Sequence, residues 1–352
     1  MVVQDLPTPF LTVDLDAVER NIDRMQRYCD THGLTLRPHV KTHKMPRLAH
    51  LQRAAGATGI TCQKLGEAEV MADAGFDDIL ITFPLIGTGK AERVAALASR
   101  TRLAVGADSA PVARALSAAV GGRGCSIGFL VDCDTGFART GVPTPHEAAD
   151  LAELVSTLPG LTFTGLMTHP ALPESGKWLK AARGLIEQRG LRVSCVSGGG
   201  TPNALNIHQS GEFTELRVGT YVYGDRCCAA TKLMPLEDCA LRVVATVVSR
   251  PTNDRAILDA GSKALTNDIP HGLEDEAYGL VVEYPDGILR ALSEEHGNLD
   301  ISRCNQKPEI GEVITIVPNH ACGAVNLHDN VALHRGGQNV EIAPIPARGH
   351  VR

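Results

Sequence analysis

No stretch of this sequence stays apolar over the ~18–20 residues needed to cross a bilayer. Nor is there a basic excess: 34 Lys and Arg stand against 40 Asp and Glu in 352 residues, a formal charge of −6. That balance argues against binding nucleic acid through phosphate neutralisation. No basic block, acidic tail, self-similar repeat or low-complexity tract appears. The first residues, MVVQDLPTPFLTVDLD, lack a basic segment followed by an apolar one, so no secretory signal is expected. The ten cysteines contain no Cys-x-x-Cys, and only Cys227 and Cys228 are adjacent. Reduced, mostly core cysteines in a cytoplasmic protein are the expectation.

What is present is a rhythm. Short β-branched runs alternate with Ala/Leu-rich segments of helical period. The runs are 36–41 (LRPHVK), 58–63 (TGITCQ), 78–84 (DILITFP), 102–108 (RLAVGAD), 126–134 (SIGFLVDCD), 161–169 (LTFTGLMTH), 192–198 (RVSCVSG) and 215–223 (ELRVGTYVY). Continuous apolar runs separated by helices read as parallel strands covered on both faces. Helices are expected at 45–55, 66–74, 88–98, 109–120, 145–158 and 174–189. An earlier one, capped by Asp16, repeats Val18, Ile22, Met25 and Cys29 along one face. Eight evenly spaced alternations predict an α/β fold of the (β/α)8 TIM-barrel type rather than an open sheet. After about Met234 the pattern becomes strands with short turns, LRVVATVVSR to NVALHR, which predicts a C-terminal β-rich domain. The expected division is 1–235 and 236–352, the first ~15 residues packing with the β domain.

Side chains at the C-terminal ends of barrel strands face the active site. Lys41 ends the first run, flanked by His39 and His43 at two-residue spacing, which on an extended segment puts all three on one face. Such a lysine is usually solvated; desolvated, it can attack a carbonyl. After the seventh run, Ser197, Gly198, Gly199, Gly200 and Thr201 offer unobstructed N–H groups and hydroxyls, and Gly219, Thr220 and Tyr221 follow on the eighth. Barrel phosphate sites lie at these ordinal positions. Gln63 and His169 close the second and sixth runs and Arg139 follows the fifth: an amide, a candidate for proton transfer, and a cation for a cofactor oxygen or ring nitrogen. In the second domain His320 and Cys322, at i and i+2, can converge on one ion, zinc first by ligand softness.

Together these features resemble the fold-type III pyridoxal-phosphate enzymes typified by alanine racemase, and most closely the D-threonine aldolase/D-serine dehydratase family. The motifs that carry the likeness are Thr8-Pro-Phe-Leu-Thr-Val-Asp14, Arg37-Pro-His-Val-Lys-Thr-His-Lys44, Cys62-Gln-Lys64, Ser197-Gly-Gly-Gly-Thr201, Ile257-Leu-Asp-Ala-Gly-Ser-Lys263, Glu294-Glu-His-Gly297 and Pro318-Asn-His-Ala-Cys322. The resemblance implies that Lys41 holds pyridoxal 5′-phosphate covalently. Gly198–Thr201 with Gly219–Tyr221 would hold its phosphate, and His320 and Cys322 a divalent metal, Zn or Mn, with Mg also admissible. It implies a homodimer and a small 3-hydroxy-D-amino acid as substrate.

Two reactions use these same parts. Retro-aldol cleavage gives glycine and an aldehyde; β-elimination, as in the D-serine and D-threo-3-hydroxyaspartate dehydratases, gives a 2-oxo acid and ammonia. Asn326-Leu-His-Asp329 resembles the aldolases, whereas Cys322 stands where they carry Asp and is similar to the dehydratases. The aldolase reading leads on chain-wide similarity. An amino-acid racemase and a non-catalytic pyridoxal-phosphate carrier are the remaining alternatives.

Overall fold

A computed structural model describes residues 3–269, 273 and 277–352. The chain forms two compact units. One comprises Met25–Lys41, Pro46–Gly219 and His350–Arg352; the other comprises Met1–Arg24, Thr42–Met45 and Thr220–Gly349. Strands are numbered from β1 (Phe10–Asp14), which lies in the second of these.

The first unit is a parallel barrel. Its strands are β2 (Thr35–Leu36), β3 (Ile60–Cys62), β4 (Asp78–Ile81), β5 (Arg102–Ala107), β6 (Ile127–Cys133), β7 (Leu161–Thr168), β8 (Cys195–Gly199) and β9 (Glu215–Arg217). They run in the order β2-β9-β8-β7-β6-β5-β4-β3. The ring closes through a parallel bridge between His39 and Thr61, where Val40 N–H donates to Thr61 O at 2.9 Å and Thr61 N–H to Pro38 O at 2.8 Å. All eight runs therefore become strands of the expected (β/α)8 fold. β2 is short because Pro38 has no N–H to offer a ladder.

Alternation explains the packing. Leu103, Val105 and Ala107 of β5 are buried on one face, while Ala104 and Gly106 belong to the interior face, where Ala104 packs against Leu80, Leu130 and Met167. A Cβ on Gly106 would overlap the Met167 sulfur, so the barrel centre requires glycine there. Helix Thr88–Ala98 buries Ala91, Val94 and Ala95 at helical spacing. Helix Pro145–Thr157 starts on a reciprocal cap: the Thr144 hydroxyl accepts from Glu147 N–H at 3.2 Å, and Glu147 Oε2 accepts from Thr144 N–H at 3.1 Å. Helix Leu15–Thr31 buries Val18, Ile22, Met25 and Cys29, but its cap is Asp14 rather than the expected Asp16. Asp14 Oδ1 accepts the Asp16 N–H at 3.0 Å, because the helix begins at Leu15, two residues earlier than a cap at Asp16 implies.

The second unit is mostly strand: β10 (Leu241–Thr252), β11 (Arg255–Leu258), β12 (Gly279–Val281), β13 (Ile288–Leu292), β14 (Gly297–Asp300), β15 (Val313–Pro318), β16 (Asn330–Arg335) and β17 (Gln338–Pro344). They follow the path β13-β14-β11-β10-β1-β16-β17, with β15 pairing β10 and β12. Here β1 sits between β10, antiparallel, and β16, parallel. Among the described residues no helix is long and apolar enough to cross a membrane, and all ten cysteines are unbridged.

Candidate active site

Parallel strands deliver their C-terminal ends to one rim. His39, at the barrel closure, is 5% exposed. The Lys41 N–H lies 3.4 Å from His39 Nδ1, and Nε2 is 3.1 Å from Gln63 Oε1. Gln63 is oriented in turn by donating Nε2–H to Thr82 O at 3.1 Å. The network thus assigns the Nε2–H tautomer to His39. Burial, then the charges of Lys41 and Arg217, hold that imidazole well below its usual value, so it is neutral. Gln63 N–H also donates to Glu67 Oε2 at 2.8 Å, fixing the start of helix Leu65–Asp73. The neighbouring Lys64 ammonium lies 3.3 Å from the centroid of the Phe83 ring.

Lys41 is partly buried in a turn that begins at Val40. The chain leaves extended geometry there, so His39, Lys41 and His43 do not share a face as expected from their spacing. His43 is fully buried in the second unit, its Nδ1 accepting the Met45 N–H at 3.0 Å. The left-handed conformation of Lys44 (φ 55°) follows it.

His169, after β7, packs edge-on against Phe137, ring centroids 5.7 Å apart. Burial and the charges of Lys41, Arg139 and Arg217 depress it to about 3. An imidazole held that low is a weak base at neutral pH. The ring expected from the sequence to transfer a proton is therefore neutral near pH 7.

Arg217 is a buried charge beside these residues that the sequence reading missed. It is 4% exposed, and donates from Nε to Ser197 Oγ at 2.7 Å and from Nη2 to Thr168 O at 3.0 Å. Ser197 Oγ donates on to Glu215 Oε1 at 2.6 Å, and Glu215 Oε2 accepts from Arg37 Nε at 2.7 Å. Glu215 and Arg217 stand at i and i+2 on a strand, two charges on one face, which was the available signal. The Ser197 hydroxyl, fully buried between Arg217 and Glu215, belongs to this interior network rather than to the expected phosphate loop.

The glycines beyond it are closely approached by their neighbours. A Cβ on Gly199 would come within 3.3 Å of both Arg217 Nη1 and His169 Nδ1. Gly200 has φ +120°, a conformation side chains disfavour. Thr201 is buried at 6%. Across the rim, the loop after β6 is tied by Asp134 Oδ1, which accepts from the N–H groups of Gly136, Phe137 and Ala138 at 2.9, 2.8 and 3.1 Å. Arg139 extends from this loop, exposed. Lys41, Arg139 and Arg217 all act as cations on His169, while Glu215 and Asp132 counter the charge of Arg217.

A second cluster lies within the other unit. His320 and Cys322 flank Ala321 at the start of helix Ala321–Val325. His320 Nδ1 is 2.9 Å from Asp268 Oδ2. A hydrogen bond with Cys322, the charges of Cys322 and Asp225, and the hydrogen bond with Asp268 raise His320 to about 9 against the effect of burial. Cys322 Sγ lies 3.1 Å from Thr42 Oγ1 and 3.6 Å from Thr220 Oγ1. The buried Asp225 accepts from Ala321 N–H at 3.1 Å and from Cys228 N–H at 2.9 Å, holding the segment between the two candidate ligands. Among the described residues no group of three or more His, Cys, Asp or Glu is placed to bind a metal, so the pair stands as two protein donors. Tyr221 is 1% exposed in the turn Thr220–Val222, where β9 was expected to continue. His328, from the aldolase-like motif, bonds the Ala264 carbonyl at 3.1 Å and is structural.

Two family models match. The alanine racemase N-terminal domain covers residues 13–227, and a putative serine dehydratase domain covers residues 240–334. A D-threonine aldolase from Arthrobacter sp. is 34% identical over 98% of this chain and 93% of its own. The crystal structure of D-threonine aldolase from Filomicrobium marinum superposes with a TM-score of 0.89 at 35% identity, covering 99% of this chain and 98% of that one. A cysteine-to-alanine variant of D-threo-3-hydroxyaspartate dehydratase, solved in its metal-free form, gives 0.88 at 29% identity over 98% of both chains. With two domain models in order and relatives matched along nearly its whole length, this chain belongs to the D-threonine aldolase/D-serine dehydratase family of alanine-racemase-like, pyridoxal-phosphate-dependent lyases.

Proposed function

We propose that the protein is a pyridoxal-phosphate-dependent, divalent-metal-assisted lyase of the D-threonine aldolase type, cleaving 3-hydroxy-D-amino acids to glycine and an aldehyde. The observation that supports a metal-assisted lyase is the His320–Cys322 pair, with Asp268 on the imidazole and two hydroxyls on the sulfur; the aldolase form leads on likeness along the whole chain. A racemase has no use for such a pair. The residues fit the implied groups. Gly199 and Gly200, where added side chains would press on Arg217, His169 and Pro170, leave their backbone free for the close approach of a phosphorylated group. One imidazole with a carboxylate behind it and one thiol suit a borderline-soft divalent ion.

In this reading Lys41 binds the cofactor aldehyde. Gly198, Gly199, Gly200 and Thr201 hold the phosphate with the backbone of Gly219, Thr220 and Tyr221, which leaves the Thr220 hydroxyl to Cys322, and Gln63 and Arg139 serve the ring substituents. When bound, pyridoxal phosphate draws off the electron pair left at Cα, and the metal acidifies the substrate's 3-hydroxyl. The chain's own residues hold these groups in place. Asp268 fixes the His320 ring so that its other nitrogen is available as a ligand. The chain through His39, Gln63 and Thr82 locks the Gln63 amide. His169, neutral and edge-on to Phe137, is the proton-transfer candidate on its side of the rim. In cleavage the 3-hydroxyl gives up its proton and becomes the aldehyde oxygen while the Cα–Cβ bond breaks; a proton returned to Cα completes glycine. Lys41, once substrate has displaced it, is the amine available at Cα.

Cys322 favours a second reading, dehydration, in which Lys41 removes the Cα proton and the hydroxyl departs. Product analysis separates the two. D-Threonine with added Zn²⁺ or Mn²⁺ should give glycine and acetaldehyde, lost on chelation; 2-oxobutanoate and ammonia would establish the dehydratase instead. D/L interconversion indifferent to chelator would overturn both in favour of a racemase. The reading also carries the homodimer and the cytoplasmic setting expected of the family.

A further inference from the structure

Thr42, Thr220 and Cys322 belong to the same unit although they lie far apart in the chain. Two threonine hydroxyls on one sulfur are more than packing needs. Thr42 is fully buried, with its Oγ1 3.1 Å from Cys322 Sγ, and Thr220 Oγ1 is 3.6 Å from it. A hydroxyl rotates to donate or accept, whereas a metal-ligating thiolate can only accept. We propose that Thr42 and Thr220 are positioning residues for the metal centre: both donate O–H···S hydrogen bonds that orient the Cys322 thiolate and set the affinity of the His320–Cys322 pair for its ion. This inference rests on the metal reading proposed above. Asp268 steadies His320 from behind, and the two threonines steady the sulfur, so each of the two protein ligands has its own support. Thr42 directly follows Lys41, so the residue that supports the metal ligand is the covalent neighbour of the one assigned to the cofactor.

The support of a metal ligand typically alters affinity about tenfold to a hundredfold. The test is Zn²⁺ binding by equilibrium dialysis against a competing chelator, together with the thiolate-to-metal charge-transfer band of the Co²⁺-substituted protein. Thr42→Val, which keeps the shape and removes the hydroxyl, should weaken Zn²⁺ binding about tenfold to a hundredfold. It should also move the Co²⁺ band to lower energy, because the sulfur electrons lose a stabilising donor. Thr42→Ser should restore both. Thr220→Val should act in the same direction and more weakly, and it carries the test if Thr42→Val does not fold. Zn²⁺ affinity within twofold of the parent with an unmoved band in the valine variants overturns the inference, as does a serine variant as weak as valine. A parent protein that binds no Zn²⁺ or Co²⁺ overturns the metal reading itself, a result distinguishable from the other two.

Discussion

Replacing Asp225 with Asn tests how the His320-Ala-Cys322 segment is held. The carboxylate is 2% exposed and accepts two backbone N–H groups, Cys228 at 2.9 Å and Ala321 at 3.1 Å. Asparagine keeps one acceptor oxygen and turns an NH2 group toward the other donor, so one buried N–H loses its partner whichever way the amide sits. An unmet buried donor costs about 1–3 kcal/mol. Part of that is offset, since burial already disfavours the Asp225 charge and raises its pKa. A net loss of about 1–2 kcal/mol remains, a factor of about 5–30 in the folded-to-unfolded ratio. If the amide keeps Cys228, the released segment is the one between His320 and Cys322, and Zn²⁺ affinity falls with stability. Thermal unfolding and Zn²⁺ dialysis on Asp225→Asn read the two effects. A variant that melts with the parent and binds Zn²⁺ equally well would refute the role given to this carboxylate.

Cys322→Ala should lower bound metal and turnover while leaving cofactor absorbance in place; undiminished metal content by elemental analysis would count against the ligand assignment. Gly198→Ala should destabilise by about 1–3 kcal/mol through overpacking, since its Cβ would sit 2.7 Å from Ala171 Cβ and 2.8 Å from Ile207 Cδ1 and Phe213 Cε1. An unchanged melting temperature would show that the barrel yields there. His39 and His169 are both depressed, His169 to about 3. The unfolded chain therefore binds more protons below about pH 6.5, so this contribution is complete above that pH and is lost as pH falls toward about 3. His169→Asn should flatten the decline in denaturation midpoint between about pH 6.5 and 4; an identical slope would contradict it.

The barrel was legible because its strands and helices have different periods. The run RLAVGAD and the segment 88–98 each bury one pattern, and the structure places them as β5 and as helix Thr88–Ala98. The ends were less legible. ELRVGTYVY keeps strand composition to Tyr223, yet β9 stops at Arg217 and Thr220–Val222 turns. The shared face of His39, Lys41 and His43 failed for the same reason: spacing assumes the backbone stays extended, and a turn beginning at Val40 cancels that. Site residues met in sequence as motifs were visible as such. Their supports were not. Asp268 lies 52 residues before His320, and Thr42 lies 280 before Cys322. Only the fold joins them. Arg217 reads as one more strand residue until its burial and its bonds to Ser197 and Thr168 are seen.

The measurement that bears most directly on the account is borohydride reduction of the purified protein supplied with pyridoxal phosphate, followed by peptide mapping. A phosphopyridoxyl adduct on Lys41, and loss of the cofactor band in Lys41→Ala, are the results expected. An adduct on Lys44, Lys64 or any other lysine, or no adduct at all, would contradict the placement of the cofactor and the chemistry built upon it.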